Sequence, residues 1–329
     1  MNNIIPAATI GPRTNQTAHG YGACYSSVAG ALSFRTITPE DMSLIFTYLE
    51  REPGRTCDFS YGGILMWVDL FRYEFAIAHD TLFVKGRLEN NLALPAYSMP
   101  VGGLSLRESV RLLEHNNAGT KDPLMFSAVP EYALSQFMSL SPRKITLLDG
   151  WGDYIYDAEK LATLSGRKMA KKRNHVNQYL NLYGSDTYEP LSKANIKEVE
   201  LYMSGLVTSD VSTAGMAYEE RLLALKTLRM MQEYDLPYTG GLLRVNGRVA
   251  AFTIGDIKGD TLFVHIEKAD RDIPGAYETI NKCFAADMLS MYPHIKYINR
   301  EDDAGDPGLR KAKESYHPIE VLKKYNVIF

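Results

Sequence analysis

One short repeat constrains this chain more than any other feature. Asp80-Thr81-Leu82-Phe83-Val84 recurs letter for letter as Asp260-Thr261-Leu262-Phe263-Val264. Each copy follows an apolar segment of alternating pattern, Phe75 to Ile77 in the first case and Phe252 to Ile254 in the second. The flanks repeat too. Thr38-Pro39-Glu40-Asp41 reads as a helix start before the first copy, and helical spacing runs over 193–206 and 218–234 before the second. Helices are expected over 105–115 and 275–291, apolar strands over 124–129 and 296–299, further helices over 130–138 and 307–316, and last strands over 144–148 and 319–329. The order αββαβαβ, read twice, implies a duplication. Val245-Asn246-Gly247-Arg248 and Lys258-Gly259-Asp260 carry hairpin chemistry, so 242–245, 248–254 and 261–267 are expected as an antiparallel meander covered by the helix 275–291.

Composition narrows the class. Of 329 residues, 45% are hydrophobic and 23% charged, which excludes a disordered chain. With 36 basic against 39 acidic residues the formal charge is −3, so any nucleic-acid or membrane contact needs a local basic patch. Cys24, Cys57 and Cys283 are widely spaced, indicating neither a disulfide framework nor a cysteine zinc site, and no metal is expected. No apolar run approaches the roughly 20 residues of a membrane helix, and the N-terminus has no charged segment leading into an apolar one. These features predict a cytoplasmic protein. Walker, nucleophile-elbow, His-Glu-x-x-His and dinucleotide motifs are missing from the sequence, which removes the main support for hydrolase, kinase and dehydrogenase readings.

The expected organisation is a flexible arm over 1–32, a first domain over 33–150, a basic connector helix over 151–185 and a second domain over 186–329. From Lys160 to Ser185 there are six basic residues and no acidic one. Arg167, Lys168, Lys171, Lys172, Arg173 and His175 form the candidate anion patch, with Lys168, Lys171 and Lys172 on one side of a helix. The alternative is a solvated helix bridging two domains.

Three segments resemble a known family: Tyr154 to His175, Phe263-Val-His-Ile-Glu-Lys-Ala-Asp270, and Asn299-Arg-Glu-Asp-Asp to Pro318. They are similar to the family built on the phosphatidylglycerol lysyltransferase C-terminal domain, many of whose soluble members lack a known function. The resemblance implies an α+β fold of two tandem GNAT (acyltransferase-like) domains, each a mostly antiparallel mixed sheet flanked by helices, shared with Fem-type aminoacyltransferases. It also implies an acyltransferase with aminoacyl-tRNA as co-substrate and no bound cofactor. The tRNA would bind through the basic connector. The acceptor, whether small molecule, peptide or lipid headgroup, is left open. Acetyl-CoA is the alternative donor, and a non-catalytic binding module is the alternative class. Arg271-Asp-Ile-Pro274-Gly-Ala276 is a poor pyrophosphate loop, because Pro274 removes an N–H the phosphate needs.

Acyl transfer needs a base for the nucleophile and an acid for the leaving group. His265 and Glu267 stand two apart on an expected strand and share a face, making both candidates for catalysis, with Glu267 as base. The alternative for Glu267 is a pair with Lys268 or Arg300. Asn299, Glu301, Asp302 and Asp303 lie between a strand and a helix, where they would bind the amino group of a substrate or favour the next helix start. Arg310, Lys313 and Tyr316 share a face of the last helix. By the resemblance, Tyr316 would protonate the leaving group, and the two cations would bind substrate.

Overall fold

The structure, a computed structural model, describes residues 32–88, 91–185, 187–209 and 216–329. The expected arm therefore lies, apart from Leu32, outside the described residues. The first part of the chain runs β1 (Arg35–Thr36), α1 (Met42–Leu49), α2 (Tyr61–Leu65), α3 (Val68–Phe71), β2 (Glu74–Ala78), β3 (Thr81–Leu88), β4 (Asn91–Tyr97), β5 (Val101–Gly102), α4 (Leu106–Asn117), β6 (Met125–Pro130), α5 (Leu134–Met138) and β7 (Lys144–Leu147). The second runs β8 (Asp153–Asp157), α6 (Ala158–Thr163), α7 (Ala170–Tyr183), β9 (Tyr188–Pro190), α8 (Ile196–Ser209), α9 (Met216–Glu233), β10 (Thr239–Val245), β11 (Arg248–Lys258), β12 (Thr261–Ala269), α10 (Ala276–Met291), β13 (Tyr297–Asn299), α11 (Pro307–Glu314), β14 (Glu320–Leu322) and β15 (Lys324–Ile328).

Local chemistry accounts for the element ends. Ser105 caps α4 in a reciprocal box with Glu108, and Asp306 caps α11 with Pro307 at its first position. Asn246 and Gly247 both take positive φ, the turn that two-residue hairpins require. The repeated pentapeptides begin β3 and β12, and Phe83 and Phe263 are fully buried at matching positions. One face of α10 buries Ile280, Phe284, Ala285 and Met288 against the second sheet, as its periodicity requires.

Two mixed, mostly antiparallel sheets result. The order of the first is β1-β2-β3-β4-β6-β15-β7, with β5 also pairing β3; that of the second is β14-β8-β13-β12-β11-β10-β9. Each holds one parallel pair, β4 with β6 and β12 with β13. Two expectations need correction here. The segment 319–329 is not one strand of the second half: β14 stays there, whereas β15 pairs between β6 and β7 of the first sheet. Likewise 151–185 is not a connector helix. It opens with β8, which pairs between β13 and β14, and continues with α6 and α7, whose Leu161, Leu164 and Val176 join Phe284 and Met288 in one core. Burial of that apolar side, rather than bridging, decides where the segment lies. Each sheet thus receives the strand that follows the other half in sequence.

Candidate functional site

The parallel pairing of β12 and β13 ends at Phe263 and Asn299, yet β12 continues to Ala269 alongside β11. The chain leaving β13 therefore diverges, and a wedge opens between it and β12 beyond the carboxyl end of β13, comparable to the place where open α/β sheets hold ligands. A cavity of about 900 Å³ occupies this wedge. His265, Glu267 and Lys268 of β12 line it, with Arg300, Glu301, Asp302 and Asp303 from the loop and Lys313 and Tyr316 from and just beyond α11. Lys172 of α7 and Glu278 of α10 complete that side, while the first half adds Asp58, Trp67, Ala128 and, from the exchanged strand, Lys324.

The loop is held by its own polar groups. Asn299 is fully buried; its Nδ2 donates to Asp153 Oδ2 at 2.9 Å and to the Arg55 carbonyl at 2.6 Å, and its Oδ1 accepts from the Glu301 N–H at 2.6 Å. Asp303 accepts from Arg310 through both oxygens at 2.9 and 3.1 Å and from the Tyr154 hydroxyl at 2.6 Å. Burial alone would raise the Asp303 pKa, but these donors hold it below the usual carboxylate range. The buried Lys313 ammonium donates to the carbonyls of Arg300 and Asp302, and burial lowers its pKa. Asn299, Asp303, Arg310 and Lys313, expected as substrate contacts, are thus engaged in shaping the loop.

Glu301 stands at φ +56°, left-handed backbone that costs a side-chain-bearing residue about 1–2 kcal/mol. Such strain collects at functional positions. Ala128 stands at φ +53° two residues beyond the parallel pair of the first half, the place Glu301 takes in the second, and both line the cavity. The duplicated kink survives in both halves, with a carboxylate in one only.

His265 fixes that carboxylate. Its Nδ1 lies 2.7 Å from Glu301 Oε1 and its Nε2 3.2 Å from Asp256 Oδ1, with the side chain wholly buried. Burial pushes the imidazole pKa down, but the two carboxylates outweigh it and raise it to about 10. The ring is therefore a cation flanked by two carboxylates, with Nδ1 hydrogen-bonded to Glu301, which removes it as a proton acceptor near neutral pH. Gly62 packs against it: a Cβ there would run into the ring, and the Gly62 N–H donates to Asp256 Oδ2 at 2.6 Å.

Glu267 receives Arg300 Nη2 at 2.8 Å and Asn281 Nδ2 at 3.1 Å. Tyr316 is buried, its ring 4.7 Å from the Arg300 guanidinium and 4.0 Å from the Lys172 ammonium, and burial raises its pKa, so its hydroxyl keeps its proton. Lys172 also lies 3.3 Å from Glu278. Burial pushes Asp302 up to about 7, and one of its oxygens accepts from the Ala304 N–H at 2.9 Å.

At the junction of the halves Lys324 Nζ lies 2.7 Å from Asp58, 2.8 Å from Asp153 and 3.3 Å from Cys57 Sγ. Cys57, Asp58 and Asp153 are close enough to one another to hold a metal ion, but the lysine ammonium fills the place of a cation.

In the basic segment only Lys172 lines the cavity. Arg167, Lys168 and Lys171 are exposed on the outside. Arg173 donates to the carbonyls of Leu164 and Gly166 at the end of α6, and the carbonyl of half-buried His175 abuts Gly275. The expectation that Lys172 shares the outer face with Lys168 and Lys171 therefore fails, because its side chain turns in toward Glu278 and Tyr316. Sequence reasoning missed Asp256 and Trp151 and named Arg300 only as a partner of Glu267; the chain's two tryptophans, Trp67 and Trp151, both line the cavity. Rarity of tryptophan was the available signal for the last pair.

The model of the family described as phosphatidylglycerol lysyltransferase, C-terminal, matches residues 51–328. A conserved protein of unknown function from Bacteroides thetaiotaomicron superposes with a TM-score of 0.81 at 34% identity, covering 91% of this chain and 99% of that one. L-PGS from Bacillus licheniformis gives 0.61 at 14% identity, covering 88% and 91%. An uncharacterized protein of Mycoplasmoides gallisepticum is 22% identical over 177 residues, 53% of this chain, and the match spans only 55% of that protein's length. No helix among the described residues is long and apolar enough to cross a membrane.

Proposed function

We propose, from the premise that this chain belongs to the phosphatidylglycerol lysyltransferase C-terminal family, that it transfers an aminoacyl group from aminoacyl-tRNA to an amine or hydroxyl acceptor. Family and fold make it a GNAT-like acyltransferase of the lysylphosphatidylglycerol-synthase type. The observation that carries the finer reading is the wedge itself: Glu301, Asp302 and the protonated Tyr316 hydroxyl line one cavity where the parallel pairing of β12 and β13 ends. Glu301, held on His265, suits the ammonium of an aminoacyl group. Asp302, with a pKa near 7, suits proton removal from the nucleophile, and Tyr316 suits proton donation to the leaving ribose oxygen. Exposed Arg167, Lys168 and Lys171 suit the tRNA backbone.

Acyl-CoA is the weaker donor on two grounds. Pro274 precedes the first turn of α10, and Glu278 puts a negative charge within that turn, where a pyrophosphate would have to sit. Binding of acetyl-CoA, uncharged tRNA and charged tRNA at two salt concentrations tests the proposal. Salt-sensitive tRNA binding is expected, and neutralising Arg167, Lys168 and Lys171 together should flatten its salt slope by roughly two to three. Binding of acetyl-CoA without tRNA would hand the site to a small-molecule acyltransferase, and binding of neither would leave a non-catalytic module. Tyr316→Phe should cut turnover by about 10²-fold or more while donor affinity holds.

A further inference from the structure

Among the described residues, Arg300 is a largely buried cation of the wedge most of whose donors have no acceptor. Lys313 donates to two carbonyls, His265 stands between two carboxylates, and Lys172 faces Glu278 and the Tyr316 ring. Arg300 gives one N–H, from Nη2, to Glu267 Oε1 at 2.8 Å, and no other guanidinium N–H has an acceptor among the described residues. Nη1 is buried outright without a partner. The guanidinium lines the cavity with 13% of its side chain open, and lies 4.7 Å from the Tyr316 ring and 5.7 Å from that of Tyr156. Arginine–carboxylate pairs are frequently bidentate forks. Here the second oxygen of Glu267 is committed to Asn281, so the pair is single and the rest of the fork is spare. Buried charged donors left without acceptors are rare in folded proteins, because the desolvation is uncompensated.

We propose that the Arg300 guanidinium holds the oxyanion of the acyl-transfer intermediate, and that Glu267 acts through it as a positioning residue. The inference rests on the acyl-transfer reading and deepens it. The acceptor lone pair forms a bond to the ester carbonyl carbon, and the C=O pair moves onto oxygen, where Arg300 donates to it. The proton of the nucleophile passes to the Asp302 carboxylate. As the C=O bond re-forms, the bond from carbon to the ribose oxygen breaks, and that oxygen takes the Tyr316 hydroxyl proton. The proton on Asp302 returns to Tyr316 through water, so the cycle closes without a further reactant. A donor aimed at charge that develops only in the intermediate raises turnover without tightening ground-state binding.

The test uses two probes on the full chain: lysinamide, with a planar carbonyl, and the monomethyl ester of the matching aminoalkylphosphonate, with a tetrahedral anionic centre. In Arg300→Gln and Arg300→Lys, phosphonate affinity should fall about 10²-fold or more while lysinamide affinity stays within about threefold. Glu267→Gln should shift the phosphonate in the same direction by less. Equal loss of both probes, or no change in either, in an Arg300→Lys protein that melts cooperatively would overturn the assignment and leave Arg300 a structural cation. Neither probe involves tRNA. Failure of tRNA binding with the phosphonate effect intact would remove the donor reading and keep the oxyanion site.

Discussion

Two titrations in the wedge have opposite meanings for stability and for turnover. His265 has a pKa of about 10 in the folded chain against 6.5 for the free side chain, so the fold holds its proton more tightly than the unfolded chain does. Its contribution to stability is complete below pH 6.5 and is lost as pH rises through 10, because the unfolded chain then binds fewer protons than the fold. Denaturation midpoints should fall from pH 7 to pH 10, with Asp256 and Glu301 as the groups facing the ring. A His265→Gln protein should be less stable at pH 6 and much flatter over that range; an unchanged slope would remove the imidazolium from the account. Asp302 works on rate. As a proton acceptor it must be ionised, so turnover should rise through pH 7, and Asp302→Asn should abolish that limb. The sequence named His265, Glu301 and Asp302 from their types and places. It did not reveal the pairing of His265 with Glu301, because those residues meet only through the divergence of β12 from the loop after β13.

At the scale of elements, the wedge depends on how closely α2 approaches β12. Ser60 caps α2 by accepting from the Gly63 N–H at 3.0 Å, and Gly62 then lies directly on the His265 ring. Only a residue without a Cβ lets the backbone N–H reach Asp256 there. Gly62→Ala should therefore displace the ring, cost about 1–3 kcal/mol by overpacking and weaken lysinamide binding through Glu301. Equal stability and binding in the variant would show that the ring can move freely, and the fixed carboxylate would lose its support. Helices and hairpins announced by caps and turns, such as Ser105 with Glu108 or Asn246-Gly247, were legible because their chemistry is local. The start of α2 was not. Tyr61-Gly62-Gly63 reads as a weak helix start, and while Gly63 is required by the nearby Cys57 carbonyl, the reason for Gly62 lies in a strand some two hundred residues on.

The whole molecule is a duplicated fold in which each sheet takes in the strand that follows the other half in sequence. β8 completes the second sheet and β15 the first. The repeat disclosed the duplication, but the pattern of 319–329 is the same whichever sheet receives it, so its destination could not be read from alternation alone. Asp153 opens β8 and Lys324 opens β15, and the two meet at 2.8 Å beside Asp58 with all three charges largely out of water. Arg55 and Glu52 add a second tie from the first half to Asp260 and Lys258 at the turn between β11 and β12. With strands shared in both directions, neither half has a complete sheet alone, and unfolding should occur in one transition. Lys324→Met would leave two buried carboxylates facing each other without their cation, which costs about 3–5 kcal/mol. The variant should lose stability on that scale in guanidinium while its transition remains single. The companion Lys324→Met, Asp153→Asn protein should recover part of the loss, since one of the stranded charges is gone. Two separated transitions in either variant would mean that the halves are independent domains, and the shared strands would then be a contact between them rather than the basis of one cooperative core.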